Sequence, residues 1–306
     1  MINLYVGNTD NDWFDFLAAE PDLTEVNFWQ PSDTAFHRIQ PGELFAFRLK
    51  SPRNKIGGFG VLSNASILPL QIAWQTFGRS NGVPSYEALR NAIAKYRRNE
   101  VIGPTTSIGC RILVQPIFFA SSSWLDLPAS WSPNIVGGKG FSSNDPEGFD
   151  LWNRLQDSAQ SHAGAPSGFA EAGARYGTPT LIMPRLGQGA FRIAVTEAYG
   201  RQCAISDGKV LPALDAAHIR PYADGGPHLK SNGILLRKDI HCIFDAGYAT
   251  IDSNHRFVVS NKVKEVFDNG EEYRRLHGKV LRPPSQIADR PDPELLRWHN
   301  DNRFLG

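Results

Sequence analysis

The chain has 306 residues, of which 41% are hydrophobic and 11% are aromatic. This length predicts two domains of ordinary size, and the apolar and aromatic content excludes a disordered chain. The formal net charge is only +1. Overall charge therefore gives no indication of nucleic-acid binding, although a local basic patch is enough to contact phosphates.

The three cysteines, Cys110, Cys203 and Cys242, include no C-x-x-C pair. This spacing excludes a disulfide framework and a four-cysteine zinc site, and it is typical of reduced thiols in a cytoplasmic protein. The first residues lack the basic start and apolar run of a signal peptide, and no stretch of about 18 apolar residues occurs. We therefore expect a cytoplasmic protein without membrane contact.

Residues 1–155 are predicted to form a strand-rich domain with few helices. Turn residues bound four β-like runs, which are Ile2–Val6, Leu44–Leu49, Gly57–Leu62 and Arg111–Phe119. Helical spacing of apolar residues predicts a helix that begins near Ser85, and a shorter one is expected at Asp12–Ala19. This α+β pattern favours a small, curved β domain that is closed or nearly closed.

Residues 156–183 are rich in Ala, Gly and Ser, and we interpret them as a linker to a second domain at 184–306. The second domain is predicted to begin with a helix at Gly189–Tyr199. The turn Asp207-Gly208 then predicts a hairpin of strands Cys203–Ser206 and Val210–Ala217. A last helix is expected to begin near Ser231–Asn232 or at Lys238.

The polar residues of this second domain follow a recognisable order. His218 comes at the end of the predicted hairpin. Asn232 lies 14 residues and His241 lies 23 residues after His218, and Gly225-Gly226 lies in the loop between His218 and Asn232. The pattern resembles the HNH, or ββα-metal, nuclease family, in which a hairpin presents the first His, a loop an Asn and a helix the last His. The resemblance implies an HNH endonuclease domain in the C-terminal half.

The same resemblance implies a role for each residue in phosphodiester hydrolysis. His218 is expected to be the general base that takes a proton from water. Asn232 is expected to hold the imidazole of His218 in one tautomer. His241 is expected to ligate a divalent cation, Mg²⁺ first and Mn²⁺ or another divalent ion as the alternative, which stabilises charge on the phosphate and the leaving oxygen.

At one position the sequence departs from the family pattern. The residue before the general base is commonly a metal-ligating Asp or His, and here it is Ala217. Side chains alternate along a strand, so Asp215 shares a face with Ala217 and could supply the carboxylate. Asp245 lies four residues after His241, on the same helix face. One or both carboxylates are expected to complete the metal site.

The N-terminal domain resembles the PUA-like superfamily, which includes EVE and SRA modules. The segments that carry this resemblance are Asn27–Pro31, Gln40–Glu43 and Lys55–Gly58. It implies a curved barrel that binds a modified base flipped out of duplex DNA and stacks it on aromatic rings. The candidate rings are Trp29, Trp124 and Trp131, although aromatic residues of a small β domain also serve as core.

Taken together, these features predict a modification-dependent restriction endonuclease of bacterial defence, with a PUA-like reader and an HNH nuclease domain. Its expected partner is double-stranded DNA carrying a modified base, with Arg220 and Arg237 near phosphates. A homodimer is plausible because a double-strand cut needs two active sites. One alternative is an HNH nuclease whose N-terminal domain binds a protein or a small-molecule signal. Another is a DNA-binding protein whose HNH fold is inactive because Ala217 replaces a ligand.

Overall fold

The computed structural model describes residues 2–98, 100–160 and 186–306. The chain divides into two compact units, residues 1–190 and 191–306. Positions 156–160 of the predicted linker lie in a helix, and positions 161–183 lie outside the described residues. Among the described helices, none combines the length and the apolar character that a membrane span requires. The elements of both units place the chain in the α+β class, as expected.

The first unit is built on one mixed sheet. Its described elements are β1 (Asn3–Thr9), α1 (Asn11–Ala18), β2 (Glu25–Gln30), β3 (Leu44–Leu49), β4 (Ile56–Pro69), α2 (Leu70–Phe77), α3 (Tyr86–Ala94), β5 (Ser107–Phe118), β6 (Gly138–Ser142) and α4 (Pro146–Gln160). The strand order is β2-β5-β4-β3-β1-β6. Strands β1 and β3 are parallel, and every other neighbouring pair is antiparallel. Register shifts in the β3–β4 and β4–β5 pairs bend and twist the sheet.

Apolar side chains from the sheet and from α1 form the core of this unit. Phe45, Phe47 and Leu113 of the sheet and Phe14 of α1 are almost fully buried in one cluster. Burial of each such side chain stabilises the fold by about 1.5–3 kcal/mol. The helix predicted to begin near Ser85 is observed as α3, and the Ser85 hydroxyl caps it by accepting a hydrogen bond from an amide of the first turn.

The second unit contains a two-stranded ribbon followed at once by a helix. Its elements are α5 (Gln188–Ala198), whose first three residues belong to the first unit, β7 (Leu214–His218), β8 (Gly233–Arg237), α6 (Lys238–Asp245), β9 (Ala249–Ile251), β10 (Phe257–Val259), α7 (Lys262–Phe267), α8 (Glu271–Arg274) and α9 (Pro293–Asn302). Strands β7 and β8 are antiparallel, and His218 pairs with Gly233. This is the ββα order that the HNH resemblance implies.

The predicted hairpin between Cys203–Ser206 and Val210–Ala217 was wrong. Residues 203–206 form a turn rather than a strand, and β7 pairs with β8 instead. The sulfur of Cys203 accepts hydrogen bonds from the amides of Ser206 and Arg237, both at 3.3 Å, which holds the turn against the end of β8. The Asp207-Gly208 signal marks a real reversal of the chain, but the long-range pairing of two apolar strands decides the ladder.

The C-terminal helix α9 packs on helix α6 through a buried histidine. The ring of His299 stacks on Phe244 with centroids 3.9 Å apart. Its Nδ1 lies 2.9 Å from the hydroxyl of Thr250, and its Nε2 lies 3.2 Å from the carbonyl oxygen of Phe244. Burial lowers the pKa of His299 to about 4, so the ring is neutral near pH 7.

Candidate active site and a second cavity

The ββα ribbon brings the predicted residues of the second unit together. Strand β7 carries Asp215 and His218, and α6 carries His241 and Asp245. Helix α6 begins directly after β8 and packs against β7. The four side chains therefore share one region although up to 30 positions separate them in the chain.

His241 lies between two carboxylates. Its Nδ1 is 3.3 Å from Oδ2 of Asp215, and its Nε2 is 3.0 Å from Oδ2 of Asp245. Burial by itself would lower the pKa of this imidazole, but the two carboxylates outweigh burial and raise the pKa to about 9. The raised pKa favours a protonated imidazole at neutral pH, with one carboxylate at each ring nitrogen.

Asp215 has a second partner, which the sequence did not indicate. The guanidinium Nε of Arg192, on α5, lies 3.4 Å from Oδ1 of Asp215. Burial would raise the pKa of Asp215, but the hydrogen bond from His241 and the charge of Arg192 bring it below its usual value. Asp215 is thus ionised and held from both sides, whereas the side chain of Asp245 is 57% exposed.

The imidazole of His218 packs flat on a phenyl ring. The ring centroids of His218 and Phe191 are 3.8 Å apart, and the planes differ by 8°. Burial, with a smaller contribution from the charge of His228, lowers the pKa of His218, so the ring is neutral near pH 7 as a general base requires. Gly233, the strand partner of His218, leaves room for this stack, since a Cβ there would meet Val195 at 2.4 Å and Phe191 at 2.9 Å.

Asn232 is fully buried and bonds the main chain, not a ring. Its Oδ1 accepts from the amide of Arg220 at 2.9 Å, and its Nδ2 donates to the carbonyl oxygens of Arg220 and Pro227 at 2.9 and 3.0 Å. The predicted contact with the imidazole of His218 is not among its hydrogen bonds. The physical reason is that the loop after β7 turns its own amide and carbonyl groups inward, where the carboxamide of Asn232 supplies one acceptor and two donors for them.

The two arginines predicted near phosphates make contacts within the protein. Arg220 donates from Nε to the carbonyl oxygen of Asp224 at 2.6 Å, and its guanidinium lies 5.1 Å from the ring centroid of Trp298. Arg237 forms a two-pronged pair with Asp239 at 2.6 and 2.7 Å. Both retain some exposure, so contact with DNA stays a prediction for each.

The residues around His241 fit a divalent cation by donor type. Imidazole nitrogen and carboxylate oxygen are donors that Mg²⁺ and Mn²⁺ accept, and Mg²⁺ commonly takes one or two carboxylates and fills the rest of its shell with water and phosphate. In the described parts of the chain, no group of three or more His, Cys, Asp or Glu is arranged so that it could hold a metal ion, so the donor type alone supports the cation. The two ring nitrogens point in opposite directions, so one ion could share His241 with one carboxylate only. Ala217 is fully buried and contributes nothing.

The first unit contains a separate cavity of about 620 Å³. Trp29 lines this cavity together with Phe28 and Gln30, and its indole donates to the carbonyl oxygen of Asn81 at 2.8 Å. Trp124 and Trp131 do not line it. Trp124 packs against the core cluster and donates to the carbonyl oxygen of Phe119 at 3.0 Å, and Trp131 lies beneath a guanidinium elsewhere. The structure therefore brings only the first of the three predicted tryptophans to the cavity.

Comparison with known proteins agrees with the C-terminal prediction. Residues 203–252 match the family model described as HNH endonuclease, so the chain carries an HNH endonuclease domain. No curated protein matches the chain.

Solved structures show weaker likeness. The ASCH protein from Zymomonas mobilis is 11% identical, with 48% of this chain and 94% of that chain covered and a TM-score of 0.34. A structure described as the modification-dependent TagI restriction endonuclease is 12% identical, with 98% of this chain and 81% of that chain covered and a TM-score of 0.31.

Two residues at the site were missed by sequence reasoning. Phe191 and Arg192 are adjacent on α5 and lie outside the segment that matches the family, yet they contact His218 and Asp215. The apolar spacing of α5 predicted that Phe191 is buried, but spacing does not indicate which ring it packs against. Nothing in the sequence pointed to Arg192.

Proposed function

We propose that the protein is a modification-dependent DNA endonuclease that works with a divalent cation, Mg²⁺ in the first instance. The observation that carries the nuclease part is the placement of His241 between the carboxylates of Asp215 and Asp245. His218 is close enough for the charges of these three residues to act on its pKa. In this proposal His218 takes a proton from the attacking water, and its stack on Phe191 sets the direction of the ring. The bound cation would stabilise the charge on the phosphate and on the departing oxygen.

The two carboxylates are proposed to have different tasks. Metal-ligating histidines commonly donate their second ring N–H to a carboxylate, which orients the ring. Asp215 suits that second task, since Arg192 holds it from the other side. Asp245 suits the ligand task because it is more exposed, and because its charge acts on His218 more strongly than that of Asp215 does. We therefore assign the cation to His241 and Asp245.

The cation assignment is tested by calorimetric titration of the whole protein with Mn²⁺ as probe. Asp245→Asn and His241→Ala are expected to lose at least about tenfold in affinity, and Asp215→Asn, which keeps an acceptor for the imidazole, is expected to lose less. An Asp215→Asn loss larger than that of Asp245→Asn would reverse the assignment. Absence of both binding and DNA cleavage in the unaltered protein would favour an inactive DNA-binding protein.

The reader part of the proposal rests on the cavity of the first unit. Aromatic rings line it, and its volume of about 620 Å³ accommodates a flipped base. Matched duplexes with and without modified cytosine test it in the presence of Mg²⁺. Preferential cutting of modified DNA is expected. Equal cutting of both duplexes would overturn the reader hypothesis but not the nuclease. Cutting that needs an added partner would favour an N-terminal domain that binds a protein or a small-molecule signal. A homodimer stays a prediction, to be checked by sedimentation with and without DNA.

A further inference from the structure

The cavity of the first unit is lined by a cation that has no anionic partner. Arg111, on β5, is partly buried, and no carboxylate pairs with its guanidinium within the described part of the chain. Nη2 donates to Oε1 of Gln30, whereas the buried Nε has no hydrogen-bond partner. Burial lowers the pKa of Arg111 to about 10, which leaves the group charged at neutral pH. Desolvating a cation that has no anionic partner costs stability, so the position calls for an explanation beyond the fold.

The surroundings of Arg111 hold its guanidinium in place. The ring centroids of Phe36, Phe28 and Phe45 lie 4.4, 5.7 and 6.0 Å from its central carbon, within cation–π range. The amide of Gln30 is itself oriented, since its Nε2 donates to the carbonyl oxygen of Thr34 at 2.9 Å, which leaves Oε1 for Arg111. The donor is therefore fixed before any ligand arrives.

Two other polar groups of the lining residues also have no partner among the described residues. The Nδ2 of Asn8 donates to the carbonyl oxygens of Ile135 and Val136 at 2.7 Å, so its unpartnered Oδ1 is an acceptor. The indole N–H of Trp13, a side chain that is 6% exposed, is an unpartnered donor. Residues that line the cavity thus carry two buried donors and one buried acceptor without a partner among the described residues, counting Arg111.

This inventory favours a flat heteroaromatic ligand over a simple anion. A phosphate or carboxylate would satisfy Arg111, but it offers no donor to Asn8. Two carboxylates and two lysines also line the cavity, and Lys50 is already paired with Asp10, so the other charges of the lining give an anion little net attraction. A nucleobase presents acceptors and a donor on one edge and offers a face for aromatic contact. Both a flipped base of DNA and a free nucleoside have this chemistry.

We propose that Arg111 is the base-anchoring residue of the cavity and donates to the acceptor edge of a nucleobase held there. The inference rests on the proposed reader function, and it assigns the contact that holds the base once that base has entered the cavity. Because the reader function brings only the modified base into the cavity, loss of this contact is expected to weaken binding of the modified duplex alone. Because the planar fork of arginine donates in fixed directions, lysine is not expected to replace it, even with the charge kept.

The test uses the full chain in EDTA, which prevents cleavage, and fluorescence anisotropy with a short duplex that carries one central 5-methylcytosine or cytosine. Arg111→Lys is expected to weaken binding of the modified duplex at least about tenfold and to leave binding of the unmodified duplex within about twofold. Arg48→Lys is the matched control, since Arg48 also lies over a ring, that of Trp131, but does not line the cavity. Melting temperatures show whether each variant is folded.

Calorimetry with free nucleosides, modified and unmodified, separates this inference from the proposed function. If the unaltered protein prefers modified DNA and Arg111→Lys keeps that preference, the role of Arg111 is overturned and the reader stands. If no duplex is preferred but a nucleoside binds and depends on Arg111, the DNA reader fails and the role of Arg111 stands. If neither modified duplex nor nucleoside is selected, both are overturned.

Discussion

The stack between Phe191 and His218 allows a quantitative test of the active-site geometry. In Phe191→Leu an apolar side chain of similar size remains, but the flat face 3.8 Å from the imidazole is lost. A favourable ring pair contributes about 0.5–1.5 kcal/mol beyond the area it buries. If that energy holds the proposed general base in its reactive orientation, its loss lowers the single-turnover rate by about 2- to 12-fold. Overall stability should change by less than about 1.5 kcal/mol, because the substitution nearly conserves volume.

The assay is the single-turnover nicking rate of plasmid DNA with saturating Mg²⁺, together with urea denaturation of the same samples. Phe257→Leu is the control, since Phe257 is also fully buried in the second unit but forms no ring contact with a histidine among the described residues. Gly233→Ala is a second perturbation, as its Cβ would push on Phe191 at 2.9 Å. Unchanged nicking by Phe191→Leu, with the control also unchanged, would refute the idea that the stack orients the base.

Two further predictions concern the second unit. Asn232→Ala leaves main-chain groups of Arg220 and Pro227 buried without partners, so unfolding free energy in urea should fall by roughly 2–4 kcal/mol; a loss under 1 kcal/mol would contradict the loop-holding role. The pKa of His299 is about 4 when folded and about 6.5 when unfolded, so the unfolded state binds more protons between these values. Its contribution is present above pH 6.5 and is lost as the pH falls towards 4, by about 2 kcal/mol between pH 7 and 5. His299→Gln should flatten this slope, and a slope equal to that of the unaltered protein would show that another group causes it.

Local signals in the sequence identified part of the fold. Turn residues and apolar spacing marked four strands of the first sheet and the helices observed as α1, α3 and α5. These signals succeed because capping and amphipathic burial depend on residues a few positions apart. They failed for residues 203–206, where the choice between a local hairpin and a distant strand depends on which apolar faces meet.

The sequence by itself determined which residues are proposed for the nuclease chemistry, since the order and spacing of His218 and His241 were recognisable without coordinates. Only the tertiary structure decided what surrounds them. It placed Asp215 and Asp245 at the two ring nitrogens of His241. The side chain of Asn232 bonds main-chain groups, and Phe191 and Arg192 contact His218 and Asp215. The physical reason is the distance along the chain between the interacting residues. A motif contains only residues of one short ribbon and the helix that follows it, whereas the orientation, burial and charged neighbours of their side chains are set when α5 packs against that ribbon. The same holds for Arg111. Only the folded sheet shows that this side chain lines a cavity and that no carboxylate of the described residues pairs with it.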